Sequence, residues 1–288
     1  MGKIDAVRKM QTYIEEHLDE KITLSNLSNV SFYSPWYSYR LFIETLGITP
    51  SEYIRKLKLS KSALELRDEQ SKILDISLKY GYSSVDGYQR AFYKEFNVNP
   101  YEYSKNPKPI YLFTPYKVYE KKGKKNMETK NIFIRTMTKP QRKVIIKRGE
   151  KATNYFDYCN EVGCDVWGIL TSIKSISNEP LCMWLPNNLV KKNTSIYVQG
   201  VEVFCDYEGE IPEGFEIIDL PECEYLIFQG EPFEEEDYEE AIKEVWNAME
   251  KFNYKSMGYS IDDKNPKIQL EPIGERGYME LIPVKNIR

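Results

Sequence analysis

The sequence of 288 residues is poor in the side chains that most often carry out catalysis or bind metals. His17 is the only histidine, and none of the five cysteines belongs to a Cys-x-x-Cys pair. Zinc sites are built mainly from His and Cys ligands, and both a Ser-His-Asp triad and histidine acid–base chemistry require a histidine. We therefore predict that the protein is not an enzyme of these classes and has no catalytic residues, no cofactor and no metal site.

The sequence also lacks long apolar stretches. No run approaches the ~18 apolar residues of a membrane-spanning helix, and the first residues, MGKIDAVRKM, lack the apolar core of a secretory signal. We therefore predict a cytoplasmic protein without a membrane partner. In that compartment we expect reduced, partly buried thiols rather than disulfides or metal ligands. They are Cys159, Cys164, Cys182, Cys205 and Cys223.

Charge is distributed unevenly along the chain. Residues 1–125 carry 21 Lys and Arg against 15 Asp and Glu, a net charge of +6, whereas residues 126–288 carry 19 against 29, a net charge of −10. Together they give the overall charge of −4. A basic half suits a polyanion such as nucleic acid, and an acidic half does not.

Two stretches of the basic half repeat each other. Each has a short apolar segment, a turn, a Ser at a helix start and an amphipathic helix with one Arg, a pattern typical of a helix-turn-helix unit. Two units in one chain can place two helices in successive major grooves without a dimer. The matched residues are Ser34, Arg40, Phe42, Pro50, Glu52 and Tyr53 in the first copy and Ser84, Arg90, Phe92, Pro100, Glu102 and Tyr103 in the second.

Local signals predict the helices of this half. Apolar spacing indicates a helix over 3–17, and capping residues with prolines start the later ones. The predicted ranges are 3–17, 23–30, 34–47, 50–67, 72–79 and 84–96, with a last turn from Pro100. Prolines and lysines over 106–130 are typical of a linker. Its run Lys121–Lys125 is either a solvated tether or a contact to DNA phosphates.

Beyond residue 130 the pattern changes to strands. Short apolar segments predict strands near 132–134, 144–146, 181–185, 195–204, 215–220, 225–229, 268–271 and 278–282. Two helices are predicted, over 153–163 and 234–252, one in each half. The fold class is therefore mixed, with an N-terminal all-α domain of two helix-turn-helix units and a C-terminal α+β domain of two pseudo-repeated halves.

The helical half resembles the AraC/XylS family of transcription regulators. The motifs that carry this resemblance include Ser34-Pro35-Trp36-Tyr37-Ser38-Tyr39-Arg40-Leu41-Phe42 and Tyr80-Gly81-Tyr82-Ser83-Ser84 followed by Arg90-Ala91-Phe92. The spacing i, i+3, i+4 places Trp36, Tyr39 and Arg40 on one helix face. The resemblance implies that these three contact double-stranded DNA, with Arg40 suited to guanine O6 and N7. Trp36 is alternatively part of the core.

In the second copy the matching positions are Val85, Asp86, Gly87 and Arg90. Val85 offers only apolar contact and Gly87 has no side chain, so we expect weaker base readout here than in the first copy. Asp86 either accepts a hydrogen bond from a cytosine amine, orders Arg90 or stabilises the helix start. Lys94 is a candidate contact to DNA phosphate.

Residues 131–288 resemble the GyrI-like effector-binding domain. The resemblance rests on segments such as Tyr197-Val198-Gln199-Gly200-Val201-Glu202-Val203 and the ending Gly277-Tyr278-Met279-Glu280-Leu281-Ile282-Pro283-Val284. It implies a small organic effector, often a cationic aromatic one, bound between the two halves by rings and a buried carboxylate. Plain core packing is the alternative for each ring, and Gln269 aligns with the family's acid about as well as Glu271. The candidates are Trp167, Trp184, Phe204, Tyr225, Glu271 and Glu280.

These patterns predict three segments: a DNA-binding domain over 1–108, a linker over 109–130 and a small-molecule-binding domain over 131–288. The predicted function is a transcription regulator, an activator by family resemblance, with RNA polymerase as a further partner. Two alternatives remain for the second half. It is a small-molecule hydrolase with Glu280 or Glu271 as general base, or it is a protein-interaction module that uses the acidic helix 234–252.

Overall fold

The chain divides into two units, Met1–Lys121 and Lys122–Arg288, in a computed structural model that describes residues 2–69, 71–119 and 131–287. Over those ranges the first unit is helical, and the second is built on an antiparallel sheet. None of the helices within them combines the length and the apolar character that crossing a bilayer requires. The predicted contact of Lys121–Lys125 with DNA lies outside the described residues.

The helices of the first unit begin where the sequence predicts. The side chains of Thr23, Ser34 and Ser84 each accept a hydrogen bond from a backbone N–H of the first turn. Asn97 ends its helix in the left-handed conformation that asparagine tolerates. The helices are α1 (Lys3–Glu16), α2 (Leu24–Ser31), α3 (Pro35–Leu46), α4 (Pro50–Asp68), α5 (Ile73–Lys79), α6 (Val85–Phe96) and α7 (Pro100–Lys105).

Repeated apolar residues supply two hydrophobic cores in this unit. Phe42 and Tyr53 are buried in the core that α1 to α4 share, and their counterparts Phe92 and Tyr103 are buried in the core that α4 to α7 share. Because α4 contributes to both cores, it joins the helix pairs α2–α3 and α5–α6. The repeat in the sequence therefore marks positions that pack, as well as positions that stay exposed.

The first part of the predicted linker differs from a free tether. Phe113 donates its backbone N–H to Ser60 over 2.7 Å and packs edge-on against Tyr53. The buried amide of Gln11 holds the segment further along, since it donates to the carbonyl of Tyr116 over 2.9 Å and accepts from the N–H of Val118. Residues 109–119, which we assigned to a linker, therefore belong to the helical unit, because their apolar side chains complete its core.

The second unit contains an antiparallel sheet with helices. Its sheet order is β1-β6-β9-β8-β3-β4-β2-β5, and β7 pairs with β9. The strands are β1 (Ile132–Lys139), β2 (Arg142–Arg148), β3 (Leu181–Trp184), β4 (Tyr197–Val203), β5 (Glu216–Leu220), β6 (Cys223–Gly230), β7 (Tyr259–Ile261), β8 (Lys267–Gln269) and β9 (Met279–Asn286). The helices are α8 (Tyr155–Val162), α9 (Asp165–Ser172) and α10 (Tyr238–Lys251).

The sheet order is palindromic. If β1, β2, β3 and β4 are matched with β5, β6, β8 and β9, the order read from one edge equals the order read from the other. The two halves meet where β3 pairs with β8, around Met183 opposite Ile268. The prediction of one helix per half was wrong for the first half, because Asp165–Ser172 forms a second helix there.

Alternating side chains give the sheet two different faces. One face is enclosed: Tyr225 of β6 packs in one cluster with Val144 of β2, although these strands are not neighbours in the sheet. The sheet therefore curls around this face. The other face is covered by α8 and α9 over the first half and by α10 over the second. The junction β3–β8 lies between those helices.

Candidate functional sites

The first candidate site is the exposed face of α3. Ser38, Leu41 and Phe42 are buried, and the Ser38 hydroxyl meets that of Ser31 at 2.7 Å, which fixes α3 against α2. The opposite face carries the three predicted contact residues. Trp36 is 70% exposed, so it is not part of the core, and its ring stacks on that of Tyr39. The structure therefore brings Trp36, Tyr39 and Arg40 to one outward-facing patch.

Arg40 is held in place within this patch. Its Nε lies 3.4 Å from a carboxylate oxygen of Glu44, one turn along, and its guanidinium lies 5.2 Å from the ring centre of Tyr37. Both side chains of the ion pair are more than half exposed, so the pair contributes little to stability. It does direct the guanidinium along the helix surface. Neither Glu44 nor Tyr37 was among the predicted contact residues.

On α6, the positions that match this patch carry smaller side chains, apart from Arg90. Tyr88, Phe92 and Phe96 are buried, and the Tyr88 hydroxyl donates to Ser62 of α4 over 3.0 Å. Asp86, Arg90 and Lys94 are exposed and Val85 is half-buried. Over the described ranges Asp86 and Arg90 do not form an ion pair. The ordering of Arg90 by Asp86 therefore stays a prediction.

A charged contact that the sequence did not predict joins α6 to α4. Arg55 donates to one oxygen of Glu95 over 2.7 Å, and the ammonium of Lys56 lies 3.3 Å from the other. The Glu95 side chain is only 15% exposed. Both cations therefore pair with Glu95 and fix α6 against α4. Because Arg55 and Glu95 are 40 residues apart, local sequence patterns could not predict this pairing.

The second candidate site is the junction between the two halves of the sheet. Trp184 of β3 and Lys267 of β8 are direct cross-strand partners, and Gln269 of β8 is opposite Glu280 of β9. The Lys267 ammonium lies 4.4 Å from the centre of the Trp184 ring and 2.6 Å from a carboxylate oxygen of Glu280. Trp184 is half-buried and Glu280 fully buried. The predicted ring and acid therefore lie on one face, with a lysine between them.

Two further groups bind Glu280 from the side of α10. The Trp246 indole N–H and the Tyr278 hydroxyl both donate to the same carboxylate oxygen, the latter over 2.5 Å. Burial and the negative charge of Glu280 raise the pKa of Tyr278, so its hydroxyl stays protonated and remains a donor. Trp246 is 42% exposed. Neither Trp246 nor Lys267 was among the predicted ligand residues, although a tryptophan on an amphipathic helix was a signal for the first.

The other side of the junction is fixed by α8 and the loop before it. The Trp184 indole N–H donates to the carbonyl of Thr153 over 2.9 Å, and its ring packs edge-on against Tyr197. The Tyr197 hydroxyl donates to Gln269 over 3.0 Å. Burial raises the pKa of the neighbouring Cys182 thiol to about 12, so this cysteine is protonated and unreactive at neutral pH. Trp167 of α9 packs against the same cluster.

Three of the predicted ligand residues are placed elsewhere. Tyr225 lies on the enclosed face, where its hydroxyl binds Arg142 and the carbonyl of Pro266, because β6 residues alternate between faces. Phe204 follows β4 and is 64% exposed. Glu271 is exposed beyond the end of β8, which stops at Gln269. The structure therefore places Tyr225, Phe204 and Glu271 away from Trp184 and Glu280, and it is Gln269 that lies opposite Glu280.

Comparison with known proteins concerns the helical part of the chain. A family model described as a helix-turn-helix domain matches residues 27–106. The transposon Tn10 TetD protein of Escherichia coli is 37% identical over 100 residues, which are 35% of this chain and 72% of that protein. The regulatory protein SoxS of Salmonella typhimurium is 34% identical over 103 residues, which are 36% of this chain and 96% of that protein.

A third relative is longer. The right origin-binding protein of Escherichia coli (strain K12) is 36% identical over 107 residues, which are 37% of each chain, so the match spans little more than a third of that relative. The helix geometry and these relatives define a DNA-binding transcription regulator. The chain belongs to the AraC/XylS family of such regulators.

Proposed function

We propose that this regulator is an activator that reads DNA with two helix-turn-helix units and senses a small organic molecule with its second, GyrI-like unit. The DNA-reading domain comprises 1–108 together with the docked segment to 119, and the sensing domain comprises 131–288. Recognition helices α3 and α6 would enter successive major grooves, so the operator would span about 20 bp, since groove centres recur every ~10 bp. RNA polymerase is the partner through which an activator would act.

The outward-facing patch on α3 supports the DNA-reading part. An exposed tryptophan and an arginine held by Glu44 offer an apolar contact for a thymine methyl and a bidentate donor for guanine. The exposed face of α6 offers Arg90 and Lys94 but also the acidic Asp86. We therefore expect α3 to supply most of the sequence discrimination and α6 to add backbone affinity.

Selection of binding sites from random DNA with the full chain tests this division. The expected result is a site with one sharply defined half, read by α3, and one degenerate half about one helical turn away. A selected site with two equally defined halves would contradict the division of labour. Transcription from a promoter that carries the selected site, measured with purified RNA polymerase, would show whether the protein activates or represses.

One observation carries the sensing part, the fully buried carboxylate of Glu280 at the junction of the sheet halves. It accepts a hydrogen bond from the partly exposed Trp246 and pairs with Lys267, whose ammonium lies over the ring of the half-buried Trp184. Aromatic faces with a few fixed polar groups are typical of small-molecule sites. One oxygen of Glu280 accepts hydrogen bonds from Trp246 and Tyr278, and the other forms an ion pair with Lys267 without an aligned hydrogen bond. That engagement makes a general-base role less favourable than a binding role.

Native mass spectrometry of the full chain, purified from the cells that naturally make it, tests the sensing role. The expected result is a bound small molecule that Trp184→Ala weakens at least tenfold while DNA affinity stays unchanged. Phe204→Ala is the matched control, because that exposed ring lies away from the junction. Retention of the molecule by the Trp184 variant would remove the junction from consideration as the binding site.

A further inference from the structure

The ammonium of Lys267 occupies the place in the junction that a positively charged ligand would need. It lies 4.4 Å from the centre of the Trp184 ring and 2.6 Å from Glu280. An aromatic face and a carboxylate are the two groups that proteins use together to bind organic cations. Here a side chain of the same chain already makes both contacts.

Burial of Glu280 explains why this contact is needed. The carboxylate is fully buried, and a buried charge is costly unless it is paired and hydrogen-bonded. Trp246 and Tyr278 supply hydrogen bonds, but both are neutral donors. Lys267 supplies the opposite charge, so the junction is electrically balanced without a ligand.

The position of Lys267 is fixed by the sheet rather than by a mobile loop. It is the direct partner of Trp184 across β3–β8, and the following pair of strands places Glu280 diagonally from it on the same face. The side chain of Lys267 is 30% exposed, whereas that of Glu280 is fully buried. An approaching cation would meet this ammonium before it met the carboxylate.

We propose that Lys267 is a built-in cation that determines ligand charge, so that the junction accepts neutral and anionic aromatic molecules and rejects cationic ones. This inference rests on the proposed sensing function of the same site. A cationic ligand would have to displace Lys267 from Glu280 or bear repulsion from it. A neutral ring can pack against the partly exposed Trp246 without disturbing the ion pair.

Three bicyclic aromatic probes of similar size and different charge test the proposal on the full chain. They are 2-naphthol, 2-naphthoate and N-methylquinolinium, and binding is measured by equilibrium dialysis at fixed salt. The unaltered protein should bind naphthol or naphthoate at least tenfold more tightly than the quinolinium cation. Lys267→Met should raise affinity for the cation at least tenfold, and the double variant Lys267→Met/Glu280→Gln should abolish that gain.

Two further variants keep the test decisive if Lys267→Met does not fold. Glu280→Gln leaves Lys267 without its carboxylate and should raise naphthoate affinity at least tenfold, whereas Lys267→Arg should preserve the charge preference. Equal binding of all three probes by the unaltered protein, or unchanged preferences in the folded variants, would overturn the proposal while leaving a sensing site in place. Absence of binding for every probe in every variant would instead count against the sensing function itself.

Discussion

The two units of this protein use charged side chains in opposite ways. The helical unit displays them: Arg40 and Glu44 are both more than half exposed, and Arg90 and Lys94 are exposed on α6. The sheet unit encloses them: Glu202 is fully buried between Arg142 and Lys139, at 2.6 Å from each. Exposed charges remain available to a partner, whereas buried ones are committed to each other.

Because of this difference, we expect charge substitutions to affect DNA affinity in one unit and folding stability in the other. A charge in water loses little when its neighbour is removed, because solvent screens it. A charge enclosed in the protein has no such substitute, and loss of its partner leaves an unpaired charge in a medium of low polarizability. Substitutions of the exposed charges of the helical unit should therefore change DNA binding and leave stability nearly unaltered, while those of the buried charges of the sheet unit should do the reverse.

The largest effect is expected for Glu202→Gln. It removes the negative charge from the enclosed face and leaves Arg142, only 2% exposed, without a counterion. We expect the free energy of unfolding of the sheet unit to fall by about 3–5 kcal/mol. Urea unfolding followed by tryptophan fluorescence measures it, because Trp167, Trp184 and Trp246 all lie in this unit.

Glu210→Gln is the matched control for that experiment, since Glu210 is exposed in the same unit. It should leave the unfolding midpoint unchanged. A loss of less than about 1 kcal/mol in the Glu202 variant would mean that solvent or a rearranged side chain compensates Arg142. The contrast between enclosed and displayed charges would then be wrong for this unit.

The second prediction concerns Arg40→Ala. We expect specific DNA binding to weaken by about 1–3 kcal/mol, the value of a good bidentate base contact. Unfolding should be nearly unaffected, because the exposed pair with Glu44 contributes only about 0.3–0.5 kcal/mol. Fluorescence anisotropy with the selected operator, at one fixed salt concentration, measures the change.

Glu44→Ala is the control that distinguishes the loss of the Arg40 side chain from the loss of the contact that positions it. It removes the side chain that lies 3.4 Å from Arg40 but keeps the arginine itself. Affinity should change by less than the Arg40 variant changes it. Operator affinity that is the same with and without Arg40 would show that α3 does not read the site through this residue.

The comparison also separates what sequence reasoning could and could not predict. Helix starts at Ser34 and Ser84 follow from capping by a nearby side chain, a local rule that needs no knowledge of the fold. The exposed Trp36 and Arg40 follow from helical periodicity in the same way. The helices of this unit and the exposed patch on α3 were therefore predictable. The docked segment 109–119, the contacts of Arg40 with Glu44 and Tyr37, and the pairing of Arg55 with Glu95 were not.

The site of the sheet unit depends on pairings between distant strands. Lys267 meets Trp184 only because β8 pairs with β3 in one register. The same register decides the assignment of Tyr225: β6 places Phe228 opposite Glu280, so Tyr225, an odd number of residues away, projects from the other face. The resemblance to the GyrI-like domain implied Trp184 and Glu280 as candidates, but not the charge that lies between them.

A third prediction addresses the intermediate case, Glu95→Gln. Glu95 is 15% exposed and bound by Arg55 and Lys56, so its environment lies between the displayed and enclosed extremes. We expect α6 to lose about 1 kcal/mol of stability, between the values for exposed and buried pairs. Hydrogen exchange of the α6 amides measures this loss locally. The exposed Glu102→Gln should leave those amides unchanged, and equal effects of both variants would contradict the assignment.

The smallest predicted effect has the opposite sign. Asp86→Asn removes a negative charge from the exposed first turn of α6. Affinity for DNA of any sequence should rise several-fold at low salt, because a repulsion of phosphate is lost. The gain should fade near 0.1 M salt, where screening acts over about 10 Å.

The control is Asp75→Asn, which changes an exposed acid in the first turn of the neighbouring α5 and should have less effect. If Asp86 instead accepts a hydrogen bond from a cytosine amine, its substitution would lower affinity for the selected site alone. The sign of this change therefore decides whether the second recognition helix repels the backbone or reads a base.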